Sequence, residues 1–362
     1  MITTRAPGKL YIAGEYAVVA PGQPAVLVAV DRFLTVNLRE GRDACRVHSE
    51  AYGKLPLTWR HSADGLHIDR DSRPDDYVFA ALGVVERLRG ERGLPPKLSD
   101  LRITSQLDDA SGRKFGLGSS AAVAVATVRA LGEFYGLDLT HDEVFRLALL
   151  ATITVSPAAS GGDVAASTFG GWIQYAAPDR AVLRTRLEET TISETLADEA
   201  WSPHRVRRLH LPHDLQLLVG WTGTPASTER LVDRMQDRQQ SDPSTYTGFL
   251  DESRQCVEQL VDAFDRDDAP AALAAVGRAR RVLRTLKNSS RVDIETERLA
   301  ALCDAAEAVG AAAKPSGAGG GDCGIVLAPA GTDLAAMLRS WEAHDVRHLT
   351  IAPHHAEGEP DA

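Results

Sequence analysis

Short apolar stretches open the chain. Leu10–Ala13, Ala25–Val30 and Phe33–Leu38, separated by loops bearing Pro and Gly, predict three strands. The period then lengthens. Between Asp75 and Arg92 the apolar positions Val78, Ala81, Leu82, Val85 and Leu88 have helical spacing. Leu101–Ser105 predicts a short strand, Ala121–Tyr135 a buried helix rich in Ala and Val, and His141–Thr152 a further helix. Gly170–Tyr175 and Leu215–Trp221 read as strands. From Pro225 to about Val309 long amphipathic helices dominate, one carrying Val257, Leu260, Val261 and Phe264, the next Leu273, Val276, Val282, Leu283 and Leu286. Cys323–Leu327 predicts a strand, Leu334–His344 a helix and Val346–Ile351 a last strand. The order is that of an α+β protein in two lobes. The expected first lobe, residues 1–205, combines mixed sheet and helices; the second, residues 206–353, is helix-rich α/β. The polar stretch His354–Ala362 is expected to be a disordered tail.

Composition narrows the partners. A length of 362 residues suits two packed lobes. The net charge of −10 argues against a nucleic-acid partner, since phosphate backbones are held by clustered basic residues. Apolar runs such as Pro24–Val30 fall well short of the ~20 residues of a membrane span, so no membrane partner is expected. Cys45, Cys256, Cys303 and Cys323 are scattered singly, with neither metal-ligand nor disulfide spacing. With no secretory pattern at the start, a cytoplasmic location is expected, and the oligomeric state, monomer or homodimer, stays open.

Among 40 basic residues, Lys occurs only at 9, 54, 97, 114, 287 and 314. Lys9, Lys114 and Lys314 lie in or beside three glycine-rich segments, which predicts that compact ammonium groups face a crowded anion there.

The first segment is Ala6-Pro-Gly-Lys-Leu-Tyr-Ile-Ala-Gly-Glu-Tyr-Ala-Val18, with a lysine between glycine turns. The second, Lys114-Phe-Gly-Leu-Gly-Ser-Ser-Ala-Ala122, runs directly into a helix. Its glycines allow close backbone approach to an anion, and the helix start offers free N–H groups and a positive dipole end. Ser119 and Ser120 add hydroxyls suited to phosphate oxygens or Mg²⁺. The Gly-Lys-Ser/Thr ending of a Walker A loop is missing. The third, Lys314-Pro-Ser-Gly-Ala-Gly-Gly-Gly-Asp-Cys-Gly324, carries five glycines in eleven residues. So many glycines cost conformational entropy, which predicts that backbone passes close to something here.

In this order and spacing, the three segments resemble those of the GHMP kinases. Glu15-Tyr16-Ala17-Val18, the second segment, Ser160-Gly-Gly-Asp-Val-Ala-Ala-Ser167, Trp221-Thr-Gly-Thr-Pro-Ala-Ser-Thr228 and the third segment resemble the phosphomevalonate kinase branch. The resemblance spans essentially the whole chain. It implies the GHMP fold and transfer of the ATP γ-phosphoryl group to a small-molecule substrate, at the phosphate of 5-phosphomevalonate, with Mg²⁺. It implies ATP contacts from Lys114, Gly116, Leu117, Gly118, Ser119, Ser120 and Ala121, with Ser119 or Ser120 placing the metal. Acceptor contacts are implied for Lys9, Lys114, Ser160, Ser227 and Ala318. Lys9 and Asp163 are the implied catalytic residues, Asp163 as general base or as an orienting group. A GHMP kinase acting on a hydroxyl, such as mevalonate kinase, and a non-catalytic ligand sensor of the same fold are the alternatives. One departure stands out: Ser156-Pro-Ala-Ala-Ser160 replaces a polar residue and Gly of the family pattern, which predicts weaker binding of the acceptor.

Overall fold

The computed structural model describes residues 1–53, 55–62, 65–68, 76–224, 243–290 and 292–357. The first two strands are longer than the apolar runs suggest. Strand β1 covers Ile2–Ala13 and β2 covers Pro24–Glu40. They pair antiparallel along almost their whole length, so polar positions at their outer ends are carried by the ladder rather than by burial. Strands β3 (Cys45–Ser49), β4 (Leu57–Ser62) and β5 (Gly65–Ile68) follow, then helix α1 (Tyr77–Glu91) and β6 (Ser99–Ser105). Next come helices α2 (Ser119–Tyr135), α3 (His141–Val155) and α4 (Gly162–Phe169), then β7 (Trp172–Ala176). Helices α5 (Arg180–Glu189) and α6 (Ile192–Leu196) and strand β8 (Arg205–Leu209) complete an eight-stranded sheet. Its order is β5-β4-β3-β6-β2-β7-β8, with β1 also on β2. Strand β2 serves two neighbours, pairing through Leu34–Glu40 with β6 and through Pro24–Val28 with β7.

A second sheet carries the rest. Strand β9 (Leu215–Trp221) precedes helices α7 (Pro243–Asp265), α8 (Ala269–Ser290) and α9 (Glu297–Glu307). Strands β10 (Ala312–Pro315) and β11 (Cys323–Pro329), helix α10 (Ala335–Ala343) and strand β12 (Arg347–Leu349) follow. The order β10-β11-β9-β12 is antiparallel throughout. The amphipathic stripe Val257, Leu260, Val261 and Phe264 is buried, as its spacing predicts, and joins a core continuous with the first lobe.

The tail departs from expectation. His354 N–H donates to Ala29 O at 2.8 Å and Glu357 N–H to Phe169 O at 2.9 Å. Arg129 pairs with the Glu357 carboxylate at 2.8 Å, and the His354 ring meets Phe33 edge-on. The segment through Glu357 is therefore bound to the first lobe, because free β2 and α4 backbone groups and a basic side chain offer partners that its polar composition conceals. Residues 358–362 lie outside the described residues.

Candidate active site

The β1–β2 register shifts between Pro7 and Gly8, with Asp31 and Arg32 as extra residues on β2, an irregularity of the kind that re-aims nearby side chains. Just past it on β1 stands Lys9. Its N–H donates to Leu117 O at 2.9 Å, tying β1 to the second glycine segment. A Cβ on Gly8 would lie 2.9 Å from that same carbonyl oxygen, so glycine permits the approach. Lys9 is 8% exposed; its ammonium donates to Gly116 O at 3.4 Å and lies 5.5 Å from the Tyr11 ring centroid.

Helix α2 starts at Ser119, two residues before the predicted start, so both serines form its first turn. Gly118, at φ 80°, is the cap residue and contributes no side chain. The first intrahelical bond runs from Ala122 N–H to Gly118 O. The N–H groups of Ser119, Ser120 and Ala121 therefore have no intrahelical acceptor and form, with the helix dipole, an anion-binding turn.

Across from this turn, helix α4 begins after Gly161 at φ 83° and places Asp163 in its first turn. This helix escaped the periodicity reading because it spans only Gly162–Phe169. Tyr11 OH and Ser160 Oγ are 2.8 Å apart, and Tyr175 OH donates to Ser160 O at 2.8 Å. Burial, with the nearby Asp163 carboxylate, pushes the Tyr11 phenol well above its usual range. It therefore stays a neutral hydroxyl at physiological pH.

These elements enclose a cleft of about 490 Å³. Lys9, Lys114, Gly116, Leu117, Gly118, Ser119, Ser120, Ala121, Ser160, Asp163 and Ala318 all line it. Ser227 lies outside the described residues. Tyr11, Glu15, Tyr16, Tyr77, Thr152, Ser316 and Asp322 line it too. Sequence reasoning singled out none of these individually, although Tyr11, Glu15 and Tyr16 sit in the first glycine segment and Ser316 and Asp322 in the third. Nothing in the local pattern marks Thr152.

Lys314 corrects the lysine argument. It is fully buried, its ammonium pairs with Glu15 and donates to Pro315 O at 2.6 Å, and it is not on the cleft wall. A buried ammonium needs a counter-charge, and Glu15, itself 4% exposed, provides it. The positive charge at the cleft comes from Lys9 and Lys114 instead. The third glycine segment does bring backbone close to neighbours, as expected. Gly319, at φ 66°, is pressed against the Ile294 carbonyl, and a Cβ on Gly324 would lie 2.9 Å from Leu302. At these two positions the close approach is to the protein itself, whereas Gly317 lines the cleft.

The side-chain oxygens on the wall include the Ser119 and Ser120 hydroxyls and the Asp163 and Asp322 carboxylates. Among the described residues no group of three or more His, Cys, Asp or Glu is arranged to hold a metal ion. A wall with hydroxyls and isolated carboxylates suits Mg²⁺, which keeps several waters and takes one or two protein oxygens together with substrate phosphates. All four cysteines are free and buried. No helix among the described residues is long and apolar enough to cross a membrane.

Residues 76–171 match the family described as GHMP kinases N terminal domain, and residues 260–346 match GHMP kinases C terminal. The chain is 46% identical over 367 residues to a phosphomevalonate kinase from Streptomyces sp. (strain CL190), covering 97% of each. It is 29% identical over 336 residues to a mevalonate kinase from Thermococcus onnurineus (strain NA1), covering 91% of this chain and 89% of that one. Among solved structures, Streptococcus pneumoniae phosphomevalonate kinase in complex with phosphomevalonate and AMPPNP superposes with a TM-score of 0.86 at 26% identity. That match covers 98% of this chain and 100% of the other.

Proposed function

The chain belongs to the GHMP kinase family, and we propose that it transfers the ATP γ-phosphoryl group to the phosphate of 5-phosphomevalonate, giving 5-diphosphomevalonate and ADP. One observation carries the assignment of roles. Lys9 touches the glycine loop of α2 through Gly116 and faces the Tyr11 ring, whose hydroxyl meets Ser160 of the opposite wall. It thus stands where the ends of two anions would meet.

The free N–H groups of Ser119, Ser120 and Ala121 hold the nucleotide phosphates, with Lys114, Gly116, Leu117 and Gly118 completing the loop. The acceptor lies against Lys9, Lys114, Ser160 and Ala318, with Ser227 as a further contact. Mg²⁺, held by the nucleotide phosphates with Ser119 or Ser120, would neutralise their charge. Lys9 offsets the charge that gathers as donor and acceptor approach. A phosphate monoester has a second pKa of about 6, so the acceptor is largely dianionic at neutral pH and needs little deprotonation. Asp163 therefore acts as an orienting group for Lys9 or the metal rather than as an obligatory base. The reaction takes place in the cytoplasm.

With purified protein and Mg-ATP, ADP release is expected to be fastest with 5-phosphomevalonate in a panel that includes mevalonate, homoserine and galactose. Faster turnover of mevalonate would transfer the chain to the hydroxyl-directed kinases, and no turnover of any acceptor would favour a ligand sensor.

Gly118→Val tests the nucleotide loop. Gly118 has φ 80°, and a Cβ there would sit 2.8 Å from Lys9 Cε. Left-handed strain of ~1–3 kcal/mol, added to blocked backbone approach, is expected to weaken binding of a non-hydrolysable ATP analogue about tenfold or more. Calorimetry on the folded variant checks this; unchanged affinity would place the phosphates elsewhere.

A further inference from the structure

Arg180 opens helix α5 and is 8% exposed, yet among the described residues its guanidinium forms no ion pair with a carboxylate. All its hydrogen bonds go to main-chain carbonyls. One nitrogen donates to Ala159 O and, at 3.3 Å, to Ala158 O; the other donates to Val19 O. The adjacent Asp179 carboxylate is occupied as the helix cap, accepting from Val182 N–H at 3.2 Å. Val19, Ala158 and Ala159 all line the cleft, whereas Arg180 stands behind them.

A buried cation without a counter-anion costs several kcal/mol and is retained only where something compensates it. Its three carbonyl partners compensate in part. A planar fork can grip two separate chain segments at once, which a single ammonium does less well. The gripped segments are the two that form this end of the cleft, and the Ser160 carbonyl beside them is held by Tyr175. Between Ser156 and Ser160, which also line the cleft, Ala158 and Ala159 offer no side-chain donor to an anion and little bulk to screen a charge behind them. In a dry interior such a charge acts over a longer range than in water.

We propose that Arg180 is a positioning residue for the anionic acceptor. It locks the Ala158-Ala159 stretch to the Val19 segment and supplies, from behind, the positive potential that these two alanines lack. The inference rests on the reading that 5-phosphomevalonate occupies this end of the cleft. It also accounts for how the Ala158-Ala159 stretch, with no donor of its own, can still face a charged substrate.

Arg180→Gln and Arg180→Lys test it by steady-state kinetics, with the acceptor and ATP varied in turn and thermal unfolding run in parallel. The Gln variant is expected to raise KM for 5-phosphomevalonate by roughly ten- to a hundredfold while kcat and KM for ATP move less than about threefold. The Lys variant, which keeps the charge but not the fork, is expected to show a smaller rise of about three- to fivefold, again confined to the acceptor. A residue that only supported the fold would lower the melting temperature and affect both substrates alike. Equal effects on both substrates, or an unchanged acceptor KM in a folded Gln variant, would overturn the inference. If the Gln variant does not fold, the Lys variant decides alone, and an unchanged acceptor KM there is equally fatal. Wild-type protein assayed alongside separates the two levels. Failure of wild type to phosphorylate 5-phosphomevalonate defeats the functional reading and this inference with it. Normal wild-type turnover with unaffected Arg180 variants defeats this inference alone.

Discussion

Lys9→Met is expected to lower kcat by roughly two orders of magnitude or more while the affinity for an ATP analogue changes less than about tenfold. The asymmetry follows from where the ammonium sits. Among the described residues Lys9 makes no ion pair, and the one hydrogen bond of its ammonium, to Gly116 O, is long at 3.4 Å. Its charge is thus uncommitted, in a site where burial at 8% exposure strengthens electrostatic interaction with developing negative charge. The N–H groups at the start of α2 remain in the variant, so the nucleotide keeps most of its contacts. Lys9→Arg is not expected to restore the rate. The stem runs 2.8 Å from where a Cβ on Gly118 would lie, and a wider planar head has no room to take the same path. Single-turnover measurement of phosphoryl transfer, with separate calorimetry of nucleotide binding, checks both halves. Near-normal turnover by Lys9→Met would remove Lys9 from the mechanism.

Lys314→Met is expected to destabilise the protein by about 3–5 kcal/mol, the usual consequence of leaving one member of a buried ion pair unpartnered. The pair is nearly dry, with side-chain exposures of 0% for Lys314 and 3% for Glu15. It joins the loop after β1 to strand β10 and so fastens the first glycine segment to the third. The same junction is reinforced by Ser316, whose Oγ accepts from Tyr11 N–H at 2.9 Å and donates to Tyr11 O at 3.0 Å. The double variant Glu15→Gln/Lys314→Met is expected to lose less than the sum of the single changes, because no uncompensated charge remains. Chemical denaturation of the three variants provides the cycle. A loss below about 1 kcal/mol for Lys314→Met would show that water or another group solvates Glu15.

The recurring glycine segments, the buried helix Ser119–Tyr135 and the amphipathic stripe of α7 were legible because their signals are local. Turn chemistry, side-chain period and the free N–H groups of a helix start all depend on residues a few positions apart. From those signals the α+β fold class and an anion-binding loop opening onto a helix follow without coordinates. The roles of the three glycine-flanked lysines do not. Lys9 and Lys314 have similar neighbours in the chain, yet one lines the cleft and the other is spent on Glu15, 299 residues away. Arg180 carries no local mark at all; its place behind Ala158 and Ala159 depends on how β7 and α5 pack against the turn before α4. Short elements such as α4 and β10 and the bound tail through Glu357 are likewise held by partners distant in the chain. Local pattern reports what a segment can form, whereas the destination of a buried charge depends on which counter-charge or carbonyl the packed chain brings within reach.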